Sequence, residues 1–206
     1  NGLKIRLLGI NAPEVKHKNQ NTEAGGESAK HWLMDKLKNR KVRLVTDAEQ
    51  TDKYKRALAH VITENKEHIN VQLVALGLAA VNIYPPNLLY VDELVAAGNQ
   101  AERAKRGIWQ QVEYAPIPVE RLDRNGHSGW VRLVGKVSVI RSSKKYVYLE
   151  FSERFQARIE KKWLLLFPDL NSYRGQTVEA RGWLNKNRGG GSMLIRHPSA
   201  IKIISN

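Results

Sequence analysis

Three side chains in the first half of the chain are of types that handle phosphate. Arg6 stands in Leu3-Lys4-Ile5-Arg6-Leu7-Leu8-Gly9-Ile10, which alternates apolar and polar residues before turning wholly apolar. Glu14 lies just beyond that segment, and Arg56 opens the run Arg56-Ala57-Leu58-Ala59. A planar guanidinium binds phosphoryl oxygens through two parallel hydrogen bonds and does not lose its charge. A carboxylate beside such a pair can orient or deprotonate a water. Arg6 on one strand, Glu14 past its end and Arg56 at the start of another can converge on one rim. Taken singly, each has a plainer reading. A strand arginine is commonly solvated or ion-paired, Glu14 follows Pro13 in a turn, and Asp52 can pair with Arg56 four residues on.

The elements that must position these groups are readable from periodicity. Residues 3–10 read as a strand entering a core. Asn11-Ala12-Pro13-Glu14 ends it, because Pro13 fixes its own φ and drives Ala12 to an extended conformation. Ala29, Trp32, Leu33 and Leu37 fall at helical spacing and predict a helix over 26–39. A strand begins at Val42 and Leu44, and a second spans 56–63. Asn70 suits the N-cap of a helix carrying Val71, Val74, Ala75 and Leu78, with Gly77 as its left-handed stop. Residues 78–84 look extended, and Pro85-Pro86-Asn87 breaks the chain. A third helix spans about 91–106, with Leu94, Ala97 and Ala101 on one side and Gly107 as its stop.

The second half differs in character. Tyr114-Ala115-Pro116-Ile117-Pro118, mixed charge and Asn125-Gly126 read as a linker over 113–128. Strands are predicted at 130–140, 146–151, 155–160, 177–184 and 193–204, with a short helical or turn segment over 161–170. Five strands with a helix after the third is the element order of an OB-type barrel. Residues 187–192 read as a flexible, basic hairpin loop. Arg141, Lys144, Lys145, Tyr146, Tyr148, Lys186, Arg188 and Arg196 are candidates for an anion-binding groove. Trp130, Trp163, Phe167 and Trp183 are assigned to the core.

Composition bounds what these residues serve. The chain has 206 residues, 34 Lys plus Arg and 20 Asp plus Glu, a formal charge of +14. Residues 1–109 hold 17 basic and 12 acidic side chains (+5), and residues 110–206 hold 17 and 8 (+9). Such an excess suits a polyanionic partner, nucleic acid first. Hydrophobic residues at 42% support a core and exclude disorder. No run approaches the roughly 18 consecutive apolar residues of a membrane span, so no stable membrane insertion is expected. The absence of cysteine excludes disulfides, thiol nucleophiles and thiolate zinc sites. Ser142-Ser143-Lys144-Lys145 matches a serine–lysine nucleophile pattern only formally, with no companion motif. His17, His31, His60, His68, His127 and His197 show no metal-ligand spacing.

Arg6 through Glu14, then Thr51-Asp52-Lys53-Tyr54-Lys55-Arg56-Ala57-Leu58-Ala59, then Asn70-Val71-Gln72-Leu73-Val74-Ala75-Leu76-Gly77-Leu78-Ala79 follow one another in an order and spacing that resembles the staphylococcal nuclease (thermonuclease) family. The likeness covers roughly residues 3–109, and Gly107-Ile108-Trp109 is similar to the family's close of its last helix. The resemblance implies an α+β, mainly β fold: an OB-type barrel with three helices over 1–112, lacking its first strand or strands in this chain. A second, small OB-like barrel over 129–206 follows, as in some bacterial relatives. It implies calcium-dependent hydrolysis of DNA and/or RNA with low sequence specificity, single strands being the expected substrate. The alternative is an inactive nuclease-like module that binds nucleic acid. Arg6 and Arg56 would stabilise charge on the phosphoryl group, and Glu14 would be the general base or water-positioning group. Lys53, Tyr54 and Tyr84 would contact substrate.

In this family calcium is held by two aspartates and a backbone carbonyl. Here Asn11 stands at one aspartate position and Ala12 offers its carbonyl, while the other aspartate belongs upstream of Asn1. Calcium binding is therefore expected to be weak or absent, since ligand charge sets affinity. Lys55 stands where a glycine is usual and is expected to crowd Arg56. The resemblance also implies an extracytoplasmic location: periplasmic, secreted or membrane-anchored.

Overall fold

A computed structural model describes residues 2–15, 23–122, 129–152, 155–187 and 190–204. The chain forms two compact units, Asn1–Glu113 and Tyr114–Asn206.

In the first unit the central strand is β4 (Ala57–Thr63), buried along nearly its whole length. It pairs in parallel with β1 (Ile5–Leu7), Arg6 opposite Leu58, and antiparallel with β3 (Val42–Val45). The single strand expected over 3–10 is two. After β1 the chain turns at Gly9 (φ 73) and leaves as β2 (Ile10–Asn11), which pairs with β5 (Ala80–Val81). A Cβ at Gly9 would lie 2.3 Å from Leu94 Cδ1, so the change of partner needs glycine there. Three helices pack on this frame: α1 (Gly26–Leu37), α2 (Ile69–Ala75) and α3 (Val91–Arg103). Ile10, Val61, Ile69, Leu73, Val74 and Leu94 form the core. Each fully buried aliphatic side chain contributes about 1.5–3 kcal/mol.

The second unit is a curled sheet in the order β6 (Ile117–Pro118), β7 (Gly129–Lys136), β11 (Thr177–Asn187), β12 (Gly190–Ile195), β10 (Phe155–Glu160), β9 (Tyr146–Ser152) and β8 (Val139–Ser142). β10 and β12 run parallel, and their other barrel neighbours run antiparallel. β7 and β8 are one predicted strand broken at Val137 and Ser138, where Val137 bonds residues 175 and 176 instead; the break lets the sheet curl back on itself as an OB-like barrel. Leu133, Leu149, Ile159, Val178 and Met193 point inward. The expected strand 193–204 is also two, since Pro198 interrupts it before β13 (Ile201–Ile203).

Of the segment assigned to a linker over 113–128, residues 114–122 are part of the second unit. Ile117–Pro118 pairs with Leu133–Val134, Val119 and Leu122 enter the core, and Arg132 Nη1 donates to the Tyr114 carbonyl at 3.2 Å. The apolar side chains of that stretch outweigh its prolines. Residues 123–128 lie outside the described residues. Residues 190–192, read as loop, are strand. Their glycines allow close packing: a Cβ at Gly191 would lie 2.7 Å from Leu184 Cδ1. Arg188 lies outside the described residues. Of the aromatics assigned to the core, Phe167 is buried, but Trp130 and Trp163 are half-buried and Trp183 is 37% exposed.

Candidate active site

The segment 51–57 is a tight reversal closed by a bridge between Thr51 and Ala57. Asp52 organises it. Its Oδ1 accepts the N–H groups of Tyr54 (2.9 Å) and Arg56 (3.0 Å), and its Oδ2 takes Nε and Nη2 of Arg56, both at 2.7 Å. Partial burial would push the Asp52 carboxyl up, but hydrogen bonds from Arg56 and Tyr54 and the Arg56 charge hold it below its ordinary range. The Asp52–Arg56 pair is thus a clamp that fixes the guanidinium plane. Lys55 sits at φ 60 and is exposed. The expected crowding of Arg56 does not occur. A glycine suits this position because the turn needs a left-handed residue.

Arg6 is half-buried on β1, and its Nη2 donates to the Ile10 carbonyl at 2.9 Å. Burial and then the like charge of Arg56 lower the Arg6 guanidinium's affinity for its proton, while Tyr84, Asp52 and Glu14 oppose this. These five groups therefore share one electrostatic neighbourhood. Each guanidinium is fixed by one partner, Arg56 by the Asp52 carboxylate and Arg6 by the Ile10 carbonyl, and guanidinium groups restrained in this way are suited to an oxyanion.

Glu14 is exposed. Its backbone is pinned from both sides: its N–H donates to Glu23 Oε2 (2.9 Å) and its carbonyl accepts from Glu23 N–H (3.0 Å). The start of α1 abuts the same stretch, where a Cβ on Gly26 would lie 3.2 Å from the Pro13 and Glu14 carbonyls. Tyr54 is exposed on the rim, with Lys53 Nζ 5.0 Å and Arg56 Cζ 5.4 Å from its ring centre. Tyr84 follows β5 and is 40% exposed.

Asn70 is the positioning residue that the sequence reading misassigned. The N-cap of α2 is His68, whose Nδ1 accepts Val71 N–H at 3.3 Å. Asn70 is fully buried, accepting Val61 N–H at 3.0 Å and donating to the Leu8 carbonyl at 2.9 Å. β1 leaves β4 at this point, so the next rung of the ladder would be lost. The Asn70 amide replaces it, as a peptide group would. It thereby fixes where the chain departs toward Asn11–Glu14.

Asn11 and Ala12 lie half-buried at the end of β2. Their oxygens are neutral, and among the described residues no group of three His, Cys, Asp or Glu is gathered to hold a metal ion. Asp52 is occupied by Arg56. The described donors do not fit the six to eight oxygen ligands that calcium takes.

This frame, with Arg6 on β1, Arg56 immediately before its partner strand β4 and Glu14 just beyond β2, is that of a staphylococcal-nuclease-type fold. A profile of the family described as "Staphylococcal nuclease homologue" matches residues 4–111, and the chain belongs to that family. It is 35% identical to the thermonuclease of Staphylococcus hyicus over 105 residues, 51% of this chain and 62% of that protein. It is also 35% identical to the thermonuclease of Staphylococcus intermedius over 108 residues, 52% of this chain and 64% of that one. Endonuclease YhcR of Bacillus subtilis is 31% identical over 144 residues, 66% of this chain but 12% of the relative. The chain spans less than two thirds of the length of these relatives.

Proposed function

We propose that the chain is a nuclease: a phosphodiester hydrolase acting on DNA and/or RNA with little sequence preference. The observation that carries this reading is the strand register: β1 pairs with β4 so that Arg6 lies opposite Leu58, two residues from Arg56, and Asp52 clamps Arg56. Arg6 and Arg56 take the charge that develops on the phosphoryl oxygens, and Glu14 orients the attacking water or accepts its proton. Lys53, Tyr54 and Tyr84 line the rim against the neighbouring phosphate and base. The neutral oxygens of Asn11 and Ala12 make calcium binding weak in this chain, so the guanidinium pair carries the charge neutralisation.

The test is incubation of the full chain with single-stranded DNA and RNA, in calcium and in chelator, followed by product analysis. Cleavage is expected. Glu14→Ala should reduce the rate by about 10²–10⁴-fold, the usual contribution of a general base, with little change in binding. No cleavage under any cation would refute the reading. One observation favours a second reading, a module that binds without turnover: Asn11 offers a neutral amide oxygen, and among the described residues no three His, Cys, Asp or Glu gather to hold a metal ion. It predicts salt-sensitive binding and no product.

A further inference from the structure

The outer face of the second unit carries a mixed cation–aromatic array that the proposed nuclease centre does not use. Along β9 the even positions point outward, because Val147 and Leu149 are in the core. Along β10 Arg158 points outward between Ala157 and Ile159 for the same reason. Register then sets Arg141, Tyr148 and Arg158 side by side across β8, β9 and β10. Arg141 Cζ lies 4.4 Å from the centre of the Tyr148 ring. Tyr146, two residues along the same face, has its ring centre 6.1 Å from that of Tyr148. Arg158 Cζ lies 5.6 Å and Lys145 Nζ 5.1 Å from the Tyr146 ring centre. Arg158 Nε is itself buried and has no hydrogen-bond partner among the described residues. Two carboxylates flank the array: Glu150 pairs with Arg141 (2.8 Å), and Glu160 with Lys145 (3.5 Å) and Lys162 (3.6 Å).

We propose that this β8–β9–β10 face is a stacking platform for single-stranded nucleic acid. The occupant follows from the mixture of groups. A bare polyanion needs cations but no aromatic rings. An anionic membrane surface is met by cations together with an apolar face that enters the acyl boundary, whereas Tyr146 and Tyr148 are half-buried among cationic side chains. Duplex DNA hides its base faces. A single strand presents both phosphates and free base faces, and it matches alternating guanidinium and ring groups. Charge complementarity is favourable: residues 114–206 hold 17 Lys plus Arg against 7 Asp plus Glu, a net of +10. The platform is independent of cleavage by the first unit, so an inactive nuclease centre leaves it standing.

The test measures fluorescence anisotropy of a labelled oligothymidylate of about 16 nucleotides, the upper site size of one OB barrel, binding to the full chain in chelator. The double variant Tyr146→Ala/Tyr148→Ala should bind about 5- to 100-fold more weakly, the range expected for lost base stacking. Tyr146→Phe/Tyr148→Phe should bind like wild type. Arg56→Ala should keep most of the affinity while losing any cleavage. Unchanged affinity in the alanine variant overturns the proposal. So does a loss of co-sedimentation with phosphatidylserine-containing vesicles while oligonucleotide binding persists, or tighter binding of wild type to a duplex of equal length. If the alanine variant does not fold by circular dichroism, Arg141→Gln/Arg158→Gln decides: weakening of about five-fold or more supports the platform, and wild-type affinity refutes it.

Discussion

Replacing Asn70 by alanine probes how the fold fixes the strand that carries Arg6. In the native protein its amide bridges Val61 N–H and the Leu8 carbonyl at 3.0 and 2.9 Å, in a position with no solvent exposure. Alanine leaves one buried donor and one buried acceptor without partners. Each such group costs about 1–2.5 kcal/mol, so the variant should lose about 2–5 kcal/mol. For a unit of this size roughly 4 °C of melting temperature goes with each kcal/mol, which makes the expected drop about 8–20 °C. Asn70→Asp sharpens the test. Its carboxylate still accepts from Val61 but faces the Leu8 and Ala59 carbonyls, so its proton affinity must rise. An acid whose folded pKa is raised loses stability as pH climbs through that window. The aspartate variant should therefore be less stable than wild type at neutral pH and recover toward it in mild acid, where the protonated group can donate to Leu8. Urea unfolding followed by tryptophan fluorescence across pH reads both effects. A loss under about 0.5 kcal/mol for alanine, or a pH-independent aspartate variant, would refute the bridging role, since buried unpaired groups cost more than that.

Further expectations concern acid, a turn and the clamp. His60 is buried, stacked on His68 and edge-on to Tyr90. Burial, then His68, pushes its pKa down to about 4 from an ordinary 6.5, against the charges of Asp47 and Glu93. Stability should be full above pH 6.5 and fall as pH drops toward 4, by at most about 3 kcal/mol from this group; melting curves that stay flat over that range would contradict it. Gly77 has φ +68, and a Cβ there would lie 2.1 Å from the Arg106 carbonyl. Gly77→Ala should cost more than about 1 kcal/mol in chemical denaturation, and a neutral effect would show that α2 can end otherwise. Asp52→Asn removes the charge that orients Arg56. It should lower kcat by about 10- to 100-fold, as misplacement does, with KM changed less; an equal rise in KM with constant kcat would mean Arg56 serves binding alone.

What the sequence makes legible here is what local chemistry decides. Asp52 and Arg56 are four residues apart, and a short reversal brings them together without help from the rest of the chain. The helices α1 and α3 follow from apolar spacing, and Gly77 from the need for a left-handed stop. Asn70 was not legible. A helix-start asparagine looks like a cap, and only the departure of β1 from β4, some 62 residues away in sequence, gives its amide another use. The breaks at Gly9 and at Val137–Ser138 were hidden for a related reason. Continuous apolar alternation says that a segment is extended, not which neighbour it pairs with. Arg158 was missed because a cation between two core residues reads as an ordinary outward strand position until the register with Tyr148 and Arg141 is known.

The two arginines are restrained by different means, and the difference bears on how the site meets an anion. Arg56 spends Nε and Nη2 on a carboxylate, whereas Arg6 spends one N–H on a main-chain carbonyl. Asp52 offsets the Arg56 charge at rest; among the described residues no carboxylate is ion-paired with Arg6, whose half-buried guanidinium feels the like charge of Arg56. Two cations so placed repel, and burial strengthens the repulsion because water screens it less. On the proposed reading, a phosphodiester entering between them would relieve that repulsion and gain hydrogen bonds from donors already held in place. On that reading Arg6, half-buried beside a like charge, is the member that gains more from the anion. Its place on β1, set by the rungs to β4 and by the Asn70 amide, turns strand pairing into fixed positive charge at the rim.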